Sequence, residues 1–167
     1  EKFQSAKAAG FEGVEIDSPS DLDLEEVKAA MKETGLVVPG IVDSVHWQQC
    51  LSDPDPAVRA KGVAALEGAL RDAKEVGATT VLLVPGVVNN NVTYGEVWTR
   101  SQEEIRKVLP LCEELEIDIA IENVWNGFLM GPHEQARYID EIGSPRVGFF
   151  FDVVFFRTTA RRTCCSS

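Results

Sequence analysis

Ile117-Asp-Ile-Ala-Ile-Glu122-Asn123 alternates apolar and polar residues, and Val147-Gly-Phe-Phe-Phe-Asp152 likewise closes on an acid. A period of two marks a strand, whose successive side chains point to opposite faces. In the first stretch Ile117, Ile119 and Ile121 share one face, suited to a cover of helices. Asp118, Ala120 and Glu122 share the other. In the second, Val147, Phe149 and Phe151 form the helix-facing row, and Gly148, Phe150 and Asp152 form the opposite one. Each segment therefore delivers a carboxylate at its carboxyl end, on the face turned away from the helices.

The flanking sequence repeats strand and helix in turn. Lys2 to Ala9 reads as a helix closed by Gly10. Gly13 to Asp17 reads as a strand, with Val14 and Ile16 on one face and Glu15 and Asp17 on the other. Ser20 or Asp21 is placed to cap a helix reaching Thr34, with Gly35 at its left-handed end. Leu36 to Val42 is expected as the second strand. Asp53-Pro-Asp-Pro56 opens a long helix whose Val63, Leu66, Leu70, Ala73 and Val76 fall on one face, and Gly77 ends it. Thr79 to Pro85 is a nearly continuous apolar run, as in a parallel sheet covered on both sides. Ser101-Gln-Glu-Glu104 has the form of a capping box for a helix to Glu116, and Pro110 predicts a kink in it. Pro132 to Gly143 bounds the last helix.

This order demands right-handed crossovers and a parallel sheet, an α/β fold. One unit recurs every ~33 residues, close to the average of a (β/α)8 barrel of roughly 250 residues. The 167 residues then hold an incomplete TIM barrel, about strands 2 to 6 with flanking helices, over residues 1–156. A doubly wound open sheet would be complete at this length, but no glycine-rich phosphate loop follows an early strand.

Apolar residues are 44% and charged residues 26% of the chain, the profile of a globular protein. Lys and Arg number 16 against 27 Asp and Glu, for a net charge of −11. Such a surface repels phosphate backbones, so nucleic acid is not an expected partner. No apolar run reaches the roughly 18 residues of a membrane span. Cys50, Cys112, Cys164 and Cys165 have neither disulfide-framework density nor metal-site spacing, so a reducing, cytoplasmic setting is expected, with Cys50 and Cys112 as buried small apolar residues. The chain begins at Glu1 within a helical pattern. Residues 157–167 carry Arg157, Arg161 and Arg162 without apolar periodicity and read as a disordered or non-native tail, as if the sequence were cut or had left its reading frame.

Working residues of parallel α/β folds gather at the carboxyl ends of strands. Two carboxylates there, on neighbouring strands, repel each other unless a cation lies between them. Oxygen donors of this kind suit Mg²⁺ or Mn²⁺.

Gly10-Phe-Glu-Gly-Val-Glu-Ile-Asp17, Gly77-Ala-Thr-Thr-Val-Leu-Leu-Val-Pro-Gly86, Ile119-Ala-Ile-Glu-Asn123 and Gly148-Phe-Phe-Phe-Asp152 together resemble the xylose isomerase-like TIM barrels. That family includes sugar phosphate isomerases/epimerases, ketose 3-epimerases and hydroxypyruvate isomerases. The resemblance covers residues 1–154. It implies one divalent metal ion (Mn or Mg first, Co or Zn compatible) held by Glu, Asp, His and Glu from four strands. Glu122 matches the first ligand and Asp152 the second; the others belong to strands seven and eight. It also implies that Glu122 moves a proton at the carbon beside a carbonyl, through an enediolate. Glu15, His46, Trp47, Asn123 and Trp125 become substrate-binding candidates, Trp for its apolar ring face. Asn126 joins them as a loop residue, His133 reads as a surface residue, and Asn89 to Asn91 read as a turn.

Two departures stand out. Ketose 3-epimerases carry a second Glu six residues after the first, where this chain has Phe128. The family's Asp-Val-Gly-Asn is replaced by Asp152-Val-Val154-Phe155. The expected function is a metal-dependent sugar or sugar phosphate isomerase/epimerase, inactive as this fragment, with a small-molecule sugar as partner and homo-oligomerisation compatible with it. The alternatives are a non-catalytic or defective partial-barrel module and an endonuclease IV-like repair enzyme. The latter needs several His; this chain has two, and Val84 stands where a His is expected before Pro-Gly.

Overall fold

Apolar residues at alternate strand positions need a helical cover, and a helix precedes every strand of the described residues. In the computed structural model, which describes residues 1–152, the elements are α1 (Lys2–Ala8), β1 (Ile16–Ser18), α2 (Leu24–Thr34), β2 (Gly40–Asp43), α3 (Pro56–Val76), β3 (Thr80–Leu83), α4 (Tyr94–Leu115), β4 (Asp118–Glu122), α5 (Pro132–Ile142) and β5 (Val147–Phe150). The sheet runs β1-β2-β3-β4-β5 with every pair parallel. That is the order of consecutive strands of a β/α barrel.

The register separates the two faces. Ile16, Ile41, Val81, Ile119 and Val147 are neighbours across the ladder, and all are buried beneath the helices. Asp17, Val42, Leu82, Ala120 and Gly148 form the adjacent row, which by alternation faces the concave side. Leu66, Leu70 and Ala73 of α3 and Ile105, Val108 and Cys112 of α4 complete the core at 0% exposure. A salt bridge from Arg59 Nε to the buried Glu104 (3.0 Å) ties α3 to α4.

Several boundaries differ from expectation. The first ladder begins at Ile16; Gly13 makes only an isolated parallel bridge to Val37, so the second ladder strand also starts late, at Gly40. Asp23, not Ser20 or Asp21, caps α2, its carboxylate accepting from Glu25 N (2.8 Å). Ser20 Oγ instead accepts from Leu22 N and tightens the preceding loop. The capping box of α4 is Thr93-Tyr-Gly-Glu96, eight residues before the one expected. Ser101 lies inside α4, donates to Val97 O (2.5 Å) and shares a hydrogen bond with the Tyr138 hydroxyl (2.7 Å). Two Ser/Thr-x-x-Glu matches compete in this run. The buried stripe of Val97, Ile105 and Val108 reaches back past Ser101, so the earlier one wins. Pro110 is accommodated within α4. Cys112 is buried, whereas Cys50 is half-buried and donates to His46 O (3.1 Å).

Close backbone approaches hold the loop after β2. A Cβ on Gly62 would lie 2.3 Å from Gln49 O, and one on Gly86 would lie 2.4 Å from Ser52 Oγ. Only glycine admits these contacts with α3 and with the β3 loop. Among the described residues no helix is long and apolar enough to cross a membrane. Val153 to Phe156, the 157–167 tail, and Cys164 and Cys165 lie outside the described residues.

Hydrogen exchange tests the α4 start. The amides of Trp98, Thr99 and Arg100 are expected to be protected to the level of the helix interior; rapid exchange up to Ser101 would restore the later cap. The outer sides of β1 and β5 meet no further strand among the described residues, and exposed strand edges template association. Sedimentation should therefore show concentration-dependent self-association, and a monodisperse monomer would contradict the open-sheet description.

Candidate active site

Strand alternation decides which carboxylates meet. Glu122, the last residue of β4, follows Ala120 on the concave face and pairs in register with Phe150. Asp152 follows Phe150 by two residues, just beyond β5, and its backbone N–H donates to Asn123 Oδ1 (3.4 Å). Glu15, just before β1, reaches across to β2, where its Oε1 lies 3.0 Å from the place a Gly40 Cβ would occupy. The charges of Asp152 and Glu15 both act on Glu122. Burial, then the charge of Asp152, then that of Glu15 push the Glu122 carboxyl from 4.5 up to about 7. A half-buried carboxylate among like charges holds its proton to neutral pH.

The loop after β2 brings His46 to the same end of the sheet. His46 is 5% exposed, and its Nδ1 is buried without a hydrogen-bond partner among the described residues. Burial lowers its pKa to about 4 although the nearby Asp17 opposes this. The ring is thus neutral at physiological pH, a donor and acceptor but not a cation. Trp47 packs edge-on against it at 5.2 Å between centroids and is itself 48% exposed.

The loop after β4 divides by role. Asn123 is buried and anchors Asp152. Asn126 is buried, donates to Gly86 O (2.8 Å) and accepts from Phe128 N, so it ties the β4 loop to the β3 loop. Trp125 is 71% exposed. Phe128 is fully buried among Tyr94, Trp98 and Tyr138. Position 128, where ketose 3-epimerases carry a second glutamate, thus belongs to the packing beneath the loop. His133 lies in the first turn of α5, in an outer depression with Trp98 and Arg137.

Sequence reading did not single out Asp17 or Asp43 as site residues. Asp17 sits on the concave row beside His46; its place two residues after Glu15 was the available signal. Asp43 also ends a strand but falls on the helix-facing row with Ile41. There it is 1% exposed, accepts from Val45 N (3.2 Å) and is pushed up to about 6 by burial. It shapes the turn. A cleft of about 530 Å³ runs along the open side of β1 and includes Glu15 and Asp17, but neither Glu122 nor Asp152. The paired acids of β4 and β5 fit the oxygen-donor part of a divalent site. Among the described residues no group of three or more His, Cys, Asp or Glu completes one.

The chain is 28% identical over 133 residues to L-ribulose-5-phosphate 3-epimerase of Escherichia coli, an alignment covering 73% of this chain and 47% of that protein. The chain thus spans about half the length of the curated relatives it matches. D-psicose 3-epimerase of Clostridium cellulolyticum, solved with D-tagatose, superposes with a TM-score of 0.74 at 20% identity, over 89% of this chain and 55% of that one. The IOLI protein, solved with a zinc atom, superposes with a TM-score of 0.73 at 15% identity, over 93% and 58%. Residues 3–154 match the family model described as xylose isomerase-like TIM barrel, and the chain belongs to that family.

Proposed function

We propose that this chain is the metal-binding front of a sugar isomerase or epimerase, with Glu122 as the group that carries the proton. The observation behind the reading is the Glu122 carboxyl, raised to about 7 by burial and by the charges of Asp152 and Glu15. A general base works best when its pKa lies near the working pH, and this one is poised there. Glu122 takes the proton from the carbon beside the substrate carbonyl and returns it. Asp152, fixed through its backbone by Asn123, is the second carboxylate of the pair. Glu122 and Asp152 would hold a divalent ion, which when bound polarises the substrate's carbonyl and hydroxyl oxygens. The zinc of the IOLI protein and the sugars of the related epimerases support this assignment.

His46 and Glu15 face sugar hydroxyls in this reading. The buried, unpartnered Nδ1 of His46 is a polar atom that a hydroxyl would satisfy. Trp47 and Trp125 offer exposed ring faces at the rim. Turnover awaits ligands beyond those described, so the chain alone binds metal without catalysing. Calorimetry tests this: Mn²⁺ is expected to bind with a Kd on the order of micromolar, and Glu122→Gln to weaken it at least about tenfold. No detectable binding would favour the non-catalytic partial-barrel module.

Proton linkage supplies a second test. The folded pKa of Glu122 is about 7, above its ordinary 4.5, so the folded state holds this proton more tightly than the unfolded chain does. Metal-free stability should fall as pH rises from 4.5 to 7 and level off above. Glu122→Gln removes that fall. At pH 8 the variant should be more stable by on the order of 1–2 kcal/mol after allowance for solvent screening, and near wild type at pH 4.5. Thermal melts with chelator check this; parallel pH profiles for the two proteins would refute the shift.

A further inference from the structure

Gly40 opens β2 and is buried, yet its backbone lies outside the left-handed region that favours glycine. What it supplies is therefore room for a close approach, not conformational freedom. A Cβ placed there would point to the concave face, because its neighbour Ile41 points to the helices. That Cβ would lie 2.9 Å from Thr80 Oγ1 and 3.0 Å from Glu15 Oε1. The two oxygens come from either side of β2. Thr80 is the in-register partner of Gly40 in β3, and its hydroxyl donates to Pro39 O (3.4 Å). Glu15 stands one residue before Ile16, whose partner in β2 is Ile41. The Glu15 side chain thus lies across the bare Cα of Gly40, inward from the edge of the sheet.

From that position its charge acts on Glu122. It does so without joining a ligand set: among the described residues no group of three or more His, Cys, Asp or Glu is placed to hold an ion. Toward a cation held by Glu122 and Asp152, Glu15 is therefore a charge that acts through space. A glutamate swinging freely in water would have its field screened and averaged away. Seated on Gly40, the same carboxylate keeps one direction.

We infer that Gly40 is a positioning residue of the metal-binding front: the space left by its missing side chain seats Glu15 across β2, and from that seat the Glu15 carboxylate strengthens the hold of Glu122 and Asp152 on a divalent cation without coordinating it. This rests on the reading of the chain as a metal-binding front and adds to it a residue that acts only through another.

Gly40→Ala is a mild test of the seat. The two atoms nearest the new Cβ are side-chain atoms, and Thr80 O, at 3.6 Å, is an ordinary contact. The Glu15 oxygen, at the end of a flexible chain, is the atom that yields. The fold is kept, unlike at Gly62, where a Cβ would meet Gln49 O at 2.3 Å. Calorimetry with Mn²⁺ at low ionic strength compares wild type, Gly40→Ala, Glu15→Gln and the double variant, with thermal melts in chelator reporting on folding. The measurement is made at pH 8, where the Glu122 carboxyl, titrating at about 7, has largely lost its proton. Each single variant is expected to weaken Mn²⁺ binding by about threefold, the double variant by no more than either, and added salt to shrink the difference. Glu15→Asp keeps the charge but is one methylene too short for the seat, and it is expected to lose affinity as well. Unchanged affinity in Gly40→Ala or Glu15→Gln, or losses that add in the double variant, overturns the inference and leaves the metal-binding front standing. Wild-type affinity in Glu15→Asp overturns it too, even if Gly40→Ala fails to fold. A wild-type chain that binds no Mn²⁺ contradicts both.

Discussion

Carboxylates buried side by side at the mouth of a sheet lose solvation and repel one another, and the rest of this molecule is built around that constraint. Glu122 and Asp152 arrive at the carboxyl ends of adjacent strands, and the charge of Glu15, just before β1, acts on Glu122. Each is there because strand alternation leaves no other face for it once the isoleucine and valine rows are buried under helices. Burial first, and then the charges of Asp152 and Glu15, leave the Glu122 carboxyl protonated to about pH 7. Either a proton or a cation relieves the arrangement, and a group that can exchange one for the other is suited to moving protons on a substrate.

The rest of the structure holds this mouth in place. The outward row from Ile16 to Val147 locks five strands in register, so the acids cannot slip to the helix side without exposing the core. Asn126 and the backbone approaches at Gly62 and Gly86 pin the loops after β2, β3 and β4 to one another. His46 is thereby held buried beside Asp17, neutral and oriented. Apart from Arg146, the Lys and Arg residues of the described chain lie on helices.

Much of this was legible in the sequence. The alternation of Ile117 to Glu122 and of Val147 to Asp152 predicted both strand and facing, because a half-covered strand writes its burial into every second residue. The ends of α2, α3 and α5 were legible through Gly35, Gly77 and Gly143, each in the left-handed region. The start of α4 was not, since two capping motifs of equal form compete and only packing against Tyr138 shows Ser101 to be interior. Asp43 and Glu122 both end strands in acid; which of them faces the mouth depends on register, a property of pairs of strands. The burial of His46 likewise depends on how a loop folds back on α3, and no local pattern announces it.

The proposed sharing of one cavity and one ion by Glu122 and Asp152 is open to a direct test. Anomalous scattering from crystals of the chain grown with Mn²⁺ addresses it most directly. A manganese peak bridging the two carboxylates is the predicted result. Manganese found only elsewhere, or the two side chains on opposite faces of the sheet, would contradict the account.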